Sequence, residues 1–127
     1  MILGSGNVVH NLRRVQWDKP DAAFDWAERF DDAAVAQLAV DPGAILKLAD
    51  HPDYALAVPT PDHFIPLLYL AALAATDEGV ATPWLRGHAL GSISMTCWRA
   101  GAAGDPAAEG EGAAGLPPDV PADQTNI

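Results

Sequence analysis

The chain has 127 residues, the length of one domain, with 17 acidic side chains against seven Lys and Arg, a formal net charge of -10 and a pI near 4.4. So few cations argue against a nucleic-acid partner, and the longest apolar stretch, residues 65–75, is interrupted by Pro66 and falls far short of the ~20 residues that cross a bilayer. A lone cysteine, Cys97, excludes an intramolecular disulfide framework and a Cys-rich zinc site, and with no basic or apolar leader in residues 1–6 the expected location is cytoplasmic.

The opening residues Ile2-Leu3-Gly4-Ser5-Gly6-Asn7 read as the last residues of a strand entering a Gly-rich turn, which delivers residues 8–12. Asp21 to Val40 is the clearest helix: Phe24, Ala27, Phe30, Ala34 and Leu38 recur at steps of three and four, with Asp25, Glu28, Asp32 and Gln37 on other faces. Asp18 or Asp21 is placed to cap its start, and Asp41-Pro42-Gly43 to stop it. Residues 44–49 predict a short second helix, and residues 54–58 a weak strand. Thr60 then suits an N-cap and Pro61 a first helical position, so the spacing predicts a buried helix from there through Ala75. Pro66 cannot donate to the Asp62 carbonyl, which predicts a kink or a frayed first turn.

From Ala89 to Arg99 the residues alternate, Ile93, Met95 and Cys97 on one side and Ser92, Ser94 and Thr96 on the other, the pattern of a single long strand. It is the one convincing strand, and a strand without neighbours leaves its backbone groups unpaired. The fold class expected is therefore α/β: the C-terminal part of a central mixed sheet flanked by helices, incomplete as an isolated chain. All four tryptophans, residues 17, 26, 84 and 98, fall before residue 100 and predict large burial, each with an indole N–H asking for a partner. Beyond Gly101 the chain is mostly Gly, Ala and Pro with five acids and no base or aromatic residue, a composition that cannot offset ~1–2 kcal/mol of backbone entropy per residue. Two regions follow: a body over 1–100 and a disordered acidic tail over 101–127.

Of the four histidines, His10, His51, His63 and His88, two have addresses that favour chemistry. His10 follows a strand-to-turn transition, where α/β sheets build their sites. His63 lies in the first turn of the predicted buried helix, where the positive dipole end favours a neutral imidazole, the form that binds a metal. Gly4-Ser5-Gly6 is not a phosphate loop, since no Lys follows it and no third Gly completes a dinucleotide fingerprint. Cys97 reads as packing, and no Ser/His/Asp or Cys/His set is evident.

Three runs are more specific than any of these residues alone: Gly4-Ser5-Gly6-Asn7-Val8-Val9-His10-Asn11-Leu12-Arg13, Pro59-Thr60-Pro61-Asp62-His63-Phe64-Ile65-Pro66-Leu67-Leu68-Tyr69, and Gly91-Ser92-Ile93-Ser94-Met95. In this order they resemble the C-terminal half of the class III extradiol aromatic ring-opening dioxygenases, the branch with the DOPA 4,5-dioxygenases, over about residues 2–98. The resemblance implies a non-haem Fe(II) or Zn(II), one per completed site, and a catecholic substrate opened with O2. It implies His63 as a metal ligand and His10 as the acid/base residue, with His10 a possible ligand as well. Acid/base work here means taking a catechol proton and returning one as the ring opens, and imidazole titrates in the right range.

The family's other two metal histidines lie in Gly-His-Gly-Ser and Ser-Ala-His-Trp-like runs of an N-terminal half, and neither run occurs in this sequence. The resemblance thus implies a dioxygenase chain that is either truncated in its reading frame or completed by a separately encoded N-terminal half, with a homo-oligomer as the alternative partner. Two further readings stand beside it. One is an inactive or regulatory fragment that acts only by binding a partner subunit. The other is a small independent metal protein, which requires His51 or His88 close to His63.

Overall fold

The computed structural model describes residues 2–5, 7–76 and 81–100, so the predicted tail lies outside the described residues. The α/β expectation holds. In chain order the elements are β1 (Ile2–Ser5), a 3-10 turn (Leu12–Arg14), α1 (Asp25–Val40), a 3-10 segment (Pro42–Asp50), α2 (Tyr54–Ala57), α3 (Ile65–Thr76), β2 (Thr82–Leu85), β3 (His88–Ala89), β4 (Ile93–Ser94) and β5 (Cys97–Ala100).

The predicted long strand is three short ones, and its C-terminal piece has neighbours on both sides. β5 is the centre of a sheet ordered β1-β5-β2, antiparallel throughout, with Gly4 opposite Trp98 and Thr82 opposite Arg99. β3 and β4 form a separate antiparallel hairpin, and the parallel pairing among the described residues is an isolated bridge between Ala23 and Gly91. The break has a local cause. Leu90 and Gly91 both adopt positive φ, 55° and 81°, and a Cβ on Gly91 would stand 2.9 Å from Phe24 Cε2. Gly91 is therefore a turn residue that lets the segment before α1 approach, its carbonyl accepting from Phe24 N and its N–H donating to the Ala22 carbonyl. That pairing holds residues 22–24 extended, so α1 begins at Asp25 rather than Asp21.

α1 buries Ala27, Phe30, Ala34 and Leu38, the predicted stripe, with Phe24 partly buried at its cap. Burying a side chain such as Phe30 contributes ~1.5–3 kcal/mol. The Pro42–Asp50 segment packs on both α1 and α3, and α3 lies against β1 and β5. Residues 54–57 are a helical turn rather than the weak strand, with Ala57 N bonded to the Asp53 carbonyl.

α3 starts later and is less buried than its composition predicts. Phe64 N and Ile65 N both donate to the Pro61 carbonyl, and Leu67 N reaches back only to Phe64, as Pro66 requires of a frayed first turn. Leu67, Leu70, Ala71 and Ala74 face the core, whereas Ile65, Tyr69 and Leu73 form an exposed apolar row. The tryptophans divide likewise: Trp98 is buried, while Trp17 and Trp84 are exposed. Among the described residues no helix is long and apolar enough to cross a membrane.

Candidate functional site

The turn after β1 carries His10 between two buried valines and a capping asparagine. Val8 and Val9 are in the core; Asn11 Oδ1 accepts from Arg13 N and its Nδ2 donates to the Leu56 carbonyl. His10 is held from both sides. Its N–H donates to the Ala57 carbonyl at 2.9 Å, and it bridges Ile93 of β4. Rungs flank that bridge, Ser94 N to the Val9 carbonyl and Asn11 N to the Ser92 carbonyl.

His63 reaches the same place from α2. The chain leaves α2 at Val58, crosses Pro59-Thr60-Pro61 and turns, so His63 stands in the turn ahead of α3 rather than inside its first turn. The two imidazoles stack with ring centroids 3.6 Å apart and planes inclined by 24°. Asp62 Oδ2 lies 3.2 Å from His63 Nε2. An open cleft of about 300 Å³ has both histidines in its wall, with Asn11, Arg13, Thr60 and Asp62. On the other side of His63 a small apolar hollow is walled by Pro66, Leu67, Leu70 and Trp98, whose buried indole N–H has no hydrogen-bond partner among the described residues.

The electrostatics set a proton preference. Burial pushes the His10 pKa below its ordinary 6.5, the facing His63 lowers it further, and Asp62 partly offsets both. Asp62 is itself held below the usual carboxylate range by a hydrogen bond from Thr60, then by its own backbone N–H, with smaller contributions from the histidines. Two stacked imidazoles repel when both are charged, so His10 stays neutral near pH 7, and a neutral imidazole keeps one nitrogen free to accept a proton.

Other sequence candidates lie apart from this pair. His51 Nδ1 accepts from Asp53 N, and its ring meets the Phe30 ring edge-on. His88 is in the β3–β4 hairpin, its buried Nε2 without a hydrogen-bond partner among the described residues. Among the described residues no group of three or more His, Cys, Asp or Glu side chains gathers as a metal site, and neither His51 nor His88 lines the cleft that holds His10 and His63. His10 and His63 alone do not fit a closed metal centre. Lone pairs lie in the ring planes, and two nearly parallel planes direct them side by side rather than to one point, while a working site of this type takes three protein donors.

Sequence reasoning missed a buried carboxylate. Asp31 is fully buried in α1; Oδ1 accepts from Ser94 Oγ, and Oδ2 accepts from Thr96 Oγ1 at 2.9 Å and Arg86 Nη2 at 2.8 Å. The signal was present, since Asp31 falls within the spacing Ala27, Asp31, Ala34, Leu38.

Against known proteins, the resemblance read from the three runs is borne out. The chain is 36% identical over 99 residues to the 4,5-DOPA dioxygenase extradiol of Escherichia coli (strain K12), a match that takes in 75% of this chain and 36% of that protein. The crystal structure of the uncharacterized protein JW3007 from Escherichia coli K12 superposes with a TM-score of 0.62 at 35% identity, covering 73% of this chain and 39% of that one. The chain thus spans little more than a third of the length of the relatives it matches. No family model matches it.

Proposed function

Because this chain is homologous over 99 residues to an extradiol dioxygenase, we propose that it forms the C-terminal part of a ring-cleaving site for catecholic substrates. The observation that carries the reading is the convergence of His10 and His63, 53 positions apart in the sequence, as stacked rings in one cleft wall. His10, neutral near pH 7, is the acid/base residue: its free nitrogen takes a hydroxyl proton from the catechol and returns one as the ring opens. His63 would be one ligand of a divalent metal, ferrous iron or zinc, with the remaining ligands supplied by a separately encoded N-terminal half. Such a metal provides the place where a catecholate and O2 meet.

The test is oxygen uptake with simple and carboxylated catechols, using the whole chain with ferrous iron, alone and co-expressed with a candidate N-terminal half. Uptake with ring-opened product that disappears in His10→Ala supports the proposal. Metal binding that is unchanged in His63→Ala, or ring opening unaffected in His10→Ala, overturns the roles assigned.

A second reading rests on the outer surface. Tyr69 and Trp84 are 71% and 67% exposed, and with Ile65, Leu73 and Leu85 they leave much apolar area on the outside. That favours a protein acting only through a partner subunit, recognised by saturable partner binding with no oxygen uptake in any combination.

A further inference from the structure

The buried carboxylate on α1 has no place in the proton chemistry above, yet it lies directly behind the strand that holds His10. Asp31 faces three donors on three separate segments: Ser94 at the end of β4, Thr96 between β4 and β5, and Arg86 between β2 and β3, whose guanidinium also bonds Asp32 at 2.6 Å. Ser94 and Thr96 are both fully buried, so these hydroxyls have no water to turn to.

Stability alone does not account for a carboxylate here. Desolvating it costs several kcal/mol, and a well-packed apolar side chain of similar volume commonly does as well or better. A charged acceptor does add geometric selection, because three fixed donors satisfy two oxygens in one arrangement only. Of the three, Ser94 leads onward to the site. Its N–H donates to the Val9 carbonyl, and its own carbonyl accepts from Asn7 Nδ2, so it grips the chain on both sides of Val8. One residue later His10 bridges Ile93, the neighbour of Ser94 in β4.

We infer that Asp31 is a positioning residue for His10, acting through Ser94: the carboxylate fixes β4, and β4 fixes the turn that presents the imidazole to His63. Thr96 shares the same carboxylate and its N–H donates to Ser94 Oγ at 3.3 Å, but it makes no hydrogen bond to residues 7–11, so of the two only Ser94 bonds the turn that carries His10. The catalytic meaning of this placement rests on the function proposed for His10, whereas the placement itself does not.

The experiment compares Ser94→Ala with Thr96→Val in the whole chain. Both remove one hydroxyl from Asp31, Ser94→Ala also taking the acceptor from Thr96 N, and urea unfolding measures the stability loss of each. The readout is the pair of His10 ring-proton NMR signals at fixed pH 7.5, with the cross-peak between the His10 and His63 rings. The expected result is a shift of the His10 signals in Ser94→Ala, with the inter-ring cross-peak falling at least twofold, and no change in either for Thr96→Val. Asp31→Asn should reproduce the Ser94→Ala effect if it folds; if it does not, the Ser94 and Thr96 pair decides. Equal changes in both hydroxyl variants, or an unchanged His10 ring in Ser94→Ala, overturn the inference. These signals report geometry whether or not the protein opens catechol rings, so failure of the proposed reaction is read separately from oxygen uptake.

Discussion

The hydroxyl row Ser92, Ser94 and Thr96 and the apolar row Ile65, Tyr69 and Leu73 meet opposite fates. All three hydroxyl residues are fully buried, whereas Met95, which alternates with them, is 46% exposed, and the α3 row faces outward although its helix is apolar nearly all round. The difference lies in what each row finds. The hydroxyls meet Asp31 and the Asn11 carbonyl, acceptors that replace the water they lose. The α3 row stays 40–71% exposed, because the face with Leu67, Leu70, Ala71 and Ala74 is the one turned to the core, where α3 packs on the Pro42–Asp50 segment, β1 and β5. Periodicity thus assigns residues to a face, and the partner across from it decides whether that face turns in.

The largest effect expected from disturbing this arrangement is at Asp31. Asp31→Ala leaves Ser94, Thr96 and one side of Arg86 without their acceptor, and breaking a buried pair this way costs ~3–5 kcal/mol. Since Arg86 is 42% exposed at its side chain and keeps Asp32, the lower end is expected, about 3 kcal/mol, read from the urea midpoint at unchanged slope. A loss below about 1 kcal/mol would show that the hydroxyl row is not held by this acceptor. Next comes Ser92→Ala, which takes from the Asn11 carbonyl a donor at 2.7 Å; that carbonyl still accepts from Arg14 N, so the loss expected is that of one hydrogen bond, ~0.5–1.5 kcal/mol. The outer row should behave differently. Tyr69→Ser is expected within ±0.5 kcal/mol of the parent in unfolding. If the row is a contact surface, the same change lowers self-association in sedimentation; if Tyr69→Ser unfolds the protein, the row is core and the contrast collapses.

How far the sequence carried can be traced residue by residue. The α1 stripe was legible because Ala27, Phe30, Ala34 and Leu38 repeat at helical spacing and pack as that spacing implies. His10 and His63 were legible as a pair because turns place them, and turn chemistry is local: a Gly-rich exit from β1 and a Pro-Asp-His turn before α3. The break at Leu90–Gly91 was hidden, since alternation continues across a glycine whose positive φ is imposed by contact with residues 22–24, about 70 positions earlier. Asp31 shares the spacing of the buried α1 stripe, but the partners that satisfy it were hidden for the same reason. A carboxylate on a helix reads as solvated until the hydroxyls and the arginine that satisfy it, more than fifty positions away, are brought to it.

The smallest effect tests the site itself, by titrating His10 through its ring-proton NMR signals. Its midpoint is expected below 6.5, since burial and His63 both disfavour the imidazolium and outweigh Asp62. His63→Ala removes a repelling neighbour and opens the ring to water, so both changes raise the midpoint; Asp62→Asn removes the one favourable charge and lowers it. The sign for stability follows by linkage. Above pH 6.5 His10 is neutral folded and unfolded and contributes nothing. As pH falls through 6.5 the unfolded chain takes up a proton that the folded chain still refuses, so folding loses stability until the folded His10 titrates as well. In His63→Ala that acid-side loss should shrink, visible as a flatter dependence of the urea midpoint on pH between 7 and 5. A midpoint at or above 6.5 in the parent, or one that His63→Ala leaves in place, would mean that the stacked rings do not share the cleft in solution, and His10 would lose the neutral imidazole on which its acid/base role depends.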